Sequence, residues 1–317
     1  MGLYDVIIVG AGPAGLGVAS QIEGKVLLID KRKTPYKKIA CAEWVPLSFP
    51  AKGVQYIERV VTVYPGGTVY NHWKGKIIDR EKWQESIVMS LHCDIHFGEK
   101  VEWVERGIVK TDKGRYKADW VIGADGAVSQ VRRAIGIKKP SLLPAVNVRV
   151  KAKKYIKETH IYFMHEIEKG YGWYFPKGEY ANIGVGCNRN LKKTLYFFIQ
   201  FLFSKNFIDK NISSVSFGYI PLSGLLKLVK NRVILVGDAG GFTDPLTGAG
   251  LFQAWDAARE VARVIKGEIS PKEYENLMHK TYGKFLKRRY EKRKILEEKW
   301  RNLKEAVEKS WISFFQE

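Results

Sequence analysis

"YDVIIVGAGPAGLGVASQIEGKVLLID", residues 4–30, decides the fold. "VIIV" and "VLLI" are short apolar runs of the kind buried on both faces of a parallel sheet, and "PAGLGVASQIE" between them carries apolar residues at helical spacing. Strand, helix and strand in this order form a β-α-β unit, the building block of doubly wound α/β sheets.

Glycines 10, 12 and 15 fit G-x-G-x-x-G. In that pattern the first makes the tight turn, the second lets backbone approach a pyrophosphate, and the third lets the helix pack closely on the strand. Around Ala14 and Gly15 a helix opens, and the positive end of a helix suits phosphate. Asp30 closes the second strand, where a carboxylate bonds the ribose hydroxyls of an adenosine and disfavours a 2′-phosphate. A dinucleotide site follows, with FAD or NAD expected rather than NADP.

Further along, residues 31–78 interrupt the doubly wound pattern with prolines 35, 46, 50 and 65 and short alternating runs. Asp79 reads as the N-cap of a helix reaching Leu91, and "DWVIGADG" (119–126) returns to the first sheet. Between 142 and 220, alternating runs such as "AVNVRVKA" and "YANIGVGC" predict an antiparallel sheet with one helix near 190–204. "RVILVGD" (232–238) resumes the first sheet, and helices follow from about 248. The expected architecture is therefore α/β. A Rossmann-type nucleotide-binding domain (1–50, 76–140 and 228–267) is interleaved with a mixed α+β substrate domain containing an antiparallel sheet (51–75 and 141–227), and basic amphipathic C-terminal helices (268–317) complete it.

The chain has 317 residues, 45 % hydrophobic and 27 % charged, which is globular composition. Its longest apolar run, "LYFFIQFLF" (195–203), is about half of what spans a bilayer. The first strand starts so early that no room is left for a signal peptide, so the expectation is a cytoplasmic protein. Cys41, Cys93 and Cys187 are far apart with no C-x-x-C pair, against a zinc site or disulfide framework. A formal charge of +20 suits anionic lipid, anionic substrate or nucleic acid, but no nucleic-acid recognition motif accompanies it. Much of the excess lies in "KTYGKFLKRRYEKRKILEEKWRNLK". There Tyr282, Phe285, Leu286, Tyr290, Leu296, Trp300, Leu303, Val307 and Trp311 recur at helical spacing. Two expectations follow: a helix packed on the body with a solvated basic face, or one lying on the anionic inner face of the membrane.

Two later turns choose between the cofactors. Asp125 and Gly126 follow one strand and Asp238 another, each before a helix. With the first turn, these resemble the three fingerprints of the flavoprotein superfamily that includes para-hydroxybenzoate hydroxylase, over residues 4–30 and 101–266. The resemblance implies FAD. It makes Asp238 the carboxylate on a ribityl hydroxyl and Gly248, Ala249, Gly250 and Leu251 the helix start facing pyrophosphate and flavin. Val101 becomes the strand residue whose backbone meets adenine, and Arg80 an arginine near the flavin.

Within that superfamily, "YGWYFP" (171–176) and "GDAGGFTDPLTGAG" (237–250) resemble the geranylgeranyl reductases, including archaeal digeranylgeranylglycerophospholipid reductases. The resemblance implies that Tyr171, Trp173, Phe175 and Pro176 line an isoprenoid cavity. "KKIACAEW" places Cys41, Ala42 and Trp44 where the family carries a cysteine close to the flavin. Where the family follows that cysteine with glycine, this chain has Ala42 and Glu43. The implied reaction is reduction of an isolated isoprenoid C=C bond by hydride from reduced flavin, with Cys41 and Tyr171 the candidate proton donors and ferredoxin or another reduced carrier as electron source. A flavin monooxygenase and a non-catalytic FAD- and isoprenoid-binding protein are the alternatives left open, with a halogenase third because its W-x-W-x-I-P motif differs at Tyr171 and Phe175.

Overall fold

A computed structural model describes residues 2–314. Its first elements are β1 (Gly2–Val9), α1 (Pro13–Ala19), β2 (Val26–Asp30), β3 (Trp44–Pro46), β4 (Gly53–Ile57), β5 (Arg59–Tyr64), β6 (Gly67–Asn71) and β7 (Gly75–Ile78). Then come α2 (Arg80–Ser90), β8 (Asp94–Phe97), β9 (Val101–Glu105), β10 (Ile108–Thr111), β11 (Arg115–Gly123), α3 (Gln130–Ala134), β12 (Leu142–Ala152), β13 (Glu158–Tyr162), β14 (Tyr171–Lys177) and β15 (Tyr180–Gly186). The chain ends through α4 (Leu191–Ser204), β16 (Ile208–Pro221), β17 (Val229–Lys230), β18 (Val233–Leu235), α5 (Leu251–Ile265), α6 (Pro271–Met278), α7 (Lys284–Glu298) and α8 (Leu303–Ser310).

Two compact units result. The first gathers Met1–Lys37, Gln84–Leu142 and Pro221–Tyr290. Its sheet runs β17-β18-β11-β1-β2-β8, with β9 and β10 as an antiparallel extension of β11. β1 pairs in parallel with both β2 and β11, so strand order reverses at β1, the position where open α/β sheets take ligands. Both faces are buried, which is why these strands read as unbroken apolar runs. Val6, Ile8, Leu28, Ile122 and Ile234 pack with residues of α1 and α5 on one side, and Ile7, Val9, Leu27, Ile29 and Val121 form a second core on the other.

The second unit comprises Lys38–Trp83, Leu143–Ile220 and Glu291–Glu317. Its larger sheet runs β16-β12-β15-β14-β13-β5-β6, and a smaller one runs β3-β7-β4. The strands of the larger sheet alternate. Val146, Val148, Val150, Tyr174, Ile183 and Val185 form one core with Phe198 and Leu202 of α4, while their sequence neighbours take the opposite face. β13 and β5 pair in parallel, with Ile161 opposite Thr62.

The boundaries of these units differ from those expected from sequence. Residues 38–50 and 76–83 belong to the second unit, because β3 and β7 pair with each other and β7 also pairs with β4. Residues 268–317 do not stand apart. Tyr274 donates to the Leu235 carbonyl of the first unit (3.1 Å), whereas the Trp311 indole donates to Thr62 Oγ1 in the second (3.1 Å). Nor is the C-terminal stretch one helix. A π-helical turn occupies His279–Gly283, α7 ends at Glu298, and Asn302 caps α8 by accepting from the Glu305 amide. Of the residues expected on its apolar face, Leu286, Leu296, Trp300, Leu303, Val307 and Trp311 are buried inside the protein, while Tyr282, Phe285 and Tyr290 are half-buried.

Candidate functional site

In the first unit the three glycines of the opening turn have separable reasons. Gly10 has φ +104°, and a Cβ there would stand 2.3 Å from the Ala124 carbonyl oxygen; a Cβ on Gly15 would stand 1.9 Å from the Gly10 oxygen. Both are demanded by the fold itself. Gly12 sits in extended backbone (φ −82°, ψ −177°) and a Cβ there would meet nothing within 4 Å. Open space in front of this backbone is what a pyrophosphate needs. Ala14 is buried, its Cβ close to the backbone of Gly237, which brings the first and third turns together.

Asp30 is buried and fully engaged. Oδ2 accepts from the Ala11 amide (2.8 Å), Oδ1 accepts from the Arg32 amide (2.8 Å), and the Arg32 guanidinium adds two bonds of 3.0 Å. Burial pushes this carboxyl up, but the bonds and charge of Arg32 outweigh it and hold it below the usual range. Asp30 is thus an anion whose oxygens any ribose hydroxyl must share with Arg32.

Asp125 faces the start of α3: its carboxylate accepts from Ser129 Oγ and from the amides of Gln130 (2.6 Å) and Val131 (3.1 Å). It caps a helix. Gly126 has φ +77° and nothing within 4 Å of an added Cβ. Val101 is buried in β9, paired with Thr111 of β10. Asp238, half-buried, opens the 3₁₀ turn Gly237–Gly240 and accepts from Thr243 Oγ1 (2.6 Å). The following loop folds around buried Asp244, which accepts from the amides of Leu246 (2.8 Å) and Thr247 (3.3 Å) and from Thr247 Oγ1 (2.6 Å). Burial pushes this carboxyl up, against the pull of nearby Arg289. The loop delivers half-buried Gly248, exposed Ala249 and half-buried Gly250 to the start of α5, whose first residue is half-buried Leu251.

Arg132 was not singled out by the sequence. Buried at 2 % exposure, it donates to the carbonyls of Ala127 (2.8 Å) and Ala239 (3.2 Å), joining the second and third turns. The only local signal is Ser129, the N-cap of α3, whose Oγ accepts from the Arg132 amide.

The remaining candidates lie in the second unit. Tyr171, Trp173 and Phe175 share one face of β14; Pro176, by strand alternation, lies on the opposite face and is separated from them. The Trp173 indole donates to Asn147 Oδ1 (3.1 Å) and lies over Gly184, where an added Cβ would stand 2.3 Å from its ring. Tyr171 packs against Phe163, Trp173 and Trp311 with ring centroids 5.3–6.2 Å apart. Cys41 is half-buried, its sulfur accepting from the Glu43 amide (3.2 Å), and the Ala42 carbonyl accepts from Asn182 (3.3 Å). Arg80 begins α2, its amide donating to Glu43 (3.0 Å). Buried Glu43, not among the expected site residues, therefore holds a central place.

Residues 98–284 match the family model described as an FAD binding domain. The chain is an FAD-dependent oxidoreductase, and the open space at Gly12 fits the cofactor's pyrophosphate. It belongs to the digeranylgeranylglycerophospholipid reductase family. Across 93 % of its length it is 31 % identical to the protein of that name from Methanocaldococcus jannaschii, covering 87 % of that chain. Across 86 % it is 30 % identical to the one from Methanococcus vannielii, covering 79 % of it. Its fold matches a solved geranylgeranyl bacteriochlorophyll reductase-like protein from Thermoplasma acidophilum at a TM-score of 0.79 and 23 % identity, over 100 % of this chain and 92 % of the other. Among the described residues, no helix is long and apolar enough to cross a membrane.

Proposed function

We propose that this chain reduces isolated C=C bonds of a geranylgeranyl-type isoprenoid lipid. The observation that carries the reading is the face of β14 bearing Tyr171, Trp173 and Phe175, with glycine opposite Trp173 in β15, on the unit without the nucleotide-binding turns. Relatives named as isoprenoid-lipid reductases support it. Bound and reduced, FAD would supply the hydride for one alkene carbon while the other carbon would take a proton, so that the π pair and the two electrons of the cofactor would end in two new C–H bonds. An unactivated alkene has no carbonyl to polarise, so orientation is the protein's main lever, and good orientation is worth roughly 7–11 kcal/mol. The aromatic residues would align the chain and exclude water, with Cys41 and Tyr171 the candidate proton donors. Gly10, Gly12, Ala14, Gly15 and Asp30 would take the adenosine half of FAD, and Asp238 with Gly248–Leu251 the half that reacts. The basic surface suits a substrate with an anionic head and a reduced protein such as ferredoxin as electron donor.

The test is to reduce the bound flavin anaerobically, add geranylgeranyl lipids, and follow reoxidation together with the mass gain of the lipid. Two hydrogens added per double bond are expected. Hydroxylation of an aromatic substrate driven by NAD(P)H and oxygen would replace this reading with a monooxygenase. Asp238→Ala is expected to come off gel filtration with at least about tenfold less yellow chromophore, the loss of one strong bond to a cofactor hydroxyl; full retention would remove Asp238 from the site.

A further inference from the structure

Glu43 is a glutamate in a backbone position suited to glycine. Its φ is +68°, and it follows Cys41 by two residues. Side chains other than glycine hold such a conformation only where their surroundings fix it. Here they do. The side chain is 2 % exposed, and Oε1 accepts from the Arg80 amide at the start of α2 (3.0 Å). Oε2 accepts from Lys177 Nζ at the end of the aromatic strand (2.7 Å) and from Asn182 Nδ2 on β15 (2.6 Å), with Arg149 at 3.7 Å. Its backbone is equally tied: the amide donates to Cys41 Sγ (3.2 Å) and the carbonyl accepts from the Ile78 amide (3.0 Å). Lys177 is itself only 8 % exposed, with Asp79 3.7 Å away as its other anion. A glycine at 43 would adopt the same backbone with less strain, so the glutamate's presence is explained by its carboxylate rather than by the turn.

We propose that Glu43 is the positioning residue of the Cys41 turn, its carboxylate locking the thiol's backbone to the end of the aromatic strand, to β15 and to the start of α2. The geometric lock stands on these contacts alone; its consequence for catalysis rests on the reductase reading above. A displacement of about 1 Å in a group that aligns an unactivated alkene can slow the reaction by roughly a hundredfold.

The test uses the full chain with FAD, in Glu43→Gly and Glu43→Gln variants. First, Cys41 and Cys93 are alkylated with iodoacetamide and followed separately by peptide mass; both thiols are half-buried, and Cys93 lies in the other unit. In Glu43→Gly, Cys41 is expected to react at least about fivefold faster while Cys93 stays within about twofold, as access to one thiol changes and not the other. Glu43→Gln, with one acceptor oxygen kept, should fall between. Second, reoxidation of reduced flavin at saturating isoprenoid lipid should be at least about tenfold slower in Glu43→Gly, with the half-saturating lipid concentration within about threefold, the pattern of an interaction used in the transition state. An unchanged Cys41 rate in Glu43→Gly, or Cys41 and Cys93 accelerating together, overturns the proposal. If Glu43→Gly does not fold, Lys177→Gln, which leaves residue 43 intact and removes its 2.7 Å partner, must raise the Cys41 rate in the same way. If wild-type protein is reoxidised by no isoprenoid lipid, the reductase reading falls while the ratio of the two thiols still decides the role of Glu43.

Discussion

Single methyl groups distinguish the glycines of the first turn. Gly10→Ala forces a Cβ to 2.3 Å from the Ala124 oxygen in a left-handed conformation, and should cost more than about 3 kcal/mol or prevent folding. Gly12→Ala meets no protein atom within 4 Å, so the protein freed of cofactor should unfold within about 1 kcal/mol of wild type. Its FAD affinity, read by quenching of flavin fluorescence, should nonetheless fall at least about tenfold if the pyrophosphate takes the open space at Gly12, as we propose. Equal affinity would mean that the cofactor does not pass Gly12. Arg132 makes the opposite case, a long side chain that nothing can shorten. Arg132→Met leaves the Ala127 and Ala239 carbonyls without their guanidinium donor. We expect a loss of about 3 kcal/mol in urea unfolding, together with weaker FAD retention, since both turns loosen. A variant as stable as wild type would show that the bridge is idle.

At the scale of elements, strand alternation does most of the sorting. β14 sends Tyr171, Trp173 and Phe175 to one face and Tyr174 to the other, where Tyr174 joins the core beneath α4. The four residues Tyr171, Trp173, Phe175 and Pro176 are close in sequence, but only the first three can share a cavity. β13 places His160 on the α4 side, beside Tyr162 and edge-on to Tyr174, with Glu158 3.5 Å from its Nε2. Burial holds this imidazole down to about 4 from its ordinary 6.5, against the pull of Glu158. The folded protein therefore refuses a proton that the unfolded chain accepts near pH 6.5. Stability should fall as pH drops from about 6.5 to about 4 and then stop falling from this source, by up to about 3 kcal/mol in all. Urea midpoints across that window, compared with those of His160→Leu, measure it; an identical slope in the variant would assign the acid sensitivity elsewhere.

For the whole molecule, the decisive property is a net charge of +20, with Leu286, Leu296, Trp300, Leu303, Val307 and Trp311 of the C-terminal stretch already buried. Attraction to anionic surfaces should then be electrostatic, without insertion of this segment. Co-sedimentation with vesicles containing anionic lipid is expected at low ionic strength and should be abolished by about 0.5 M salt, where the Debye length falls well below 10 Å. Binding that survives such salt would point to apolar anchoring. The two units also explain where domain boundaries escape inspection of sequence. Residues 38–50 are expected from sequence within the nucleotide-binding domain, yet Trp44–Pro46 pairs with Gly75–Ile78 some thirty residues later, and that pairing assigns them to the second unit.

The sequence alone determined what repeats or is local. Buried apolar runs, the helical period between them, the first glycine turn and the carboxylate at Asp30 fixed the α/β class and the expectation of a dinucleotide, because each depends on residues within about thirty positions of one another; the choice of FAD rested on the resemblance of three separate turns to a flavoprotein superfamily. Only the tertiary structure decided which groups meet: Arg132 with Ala239, Glu43 with Lys177 and Asn182, and Trp311 with Thr62 and Tyr171. These pairs are about 100 to 250 residues apart, and their energy comes from burial that exists only after the sheets have formed. A buried charge and a solvated one are spelled with the same letter, so chain folding, not composition, selects Arg132 and Glu43 from the many charged residues of a basic protein.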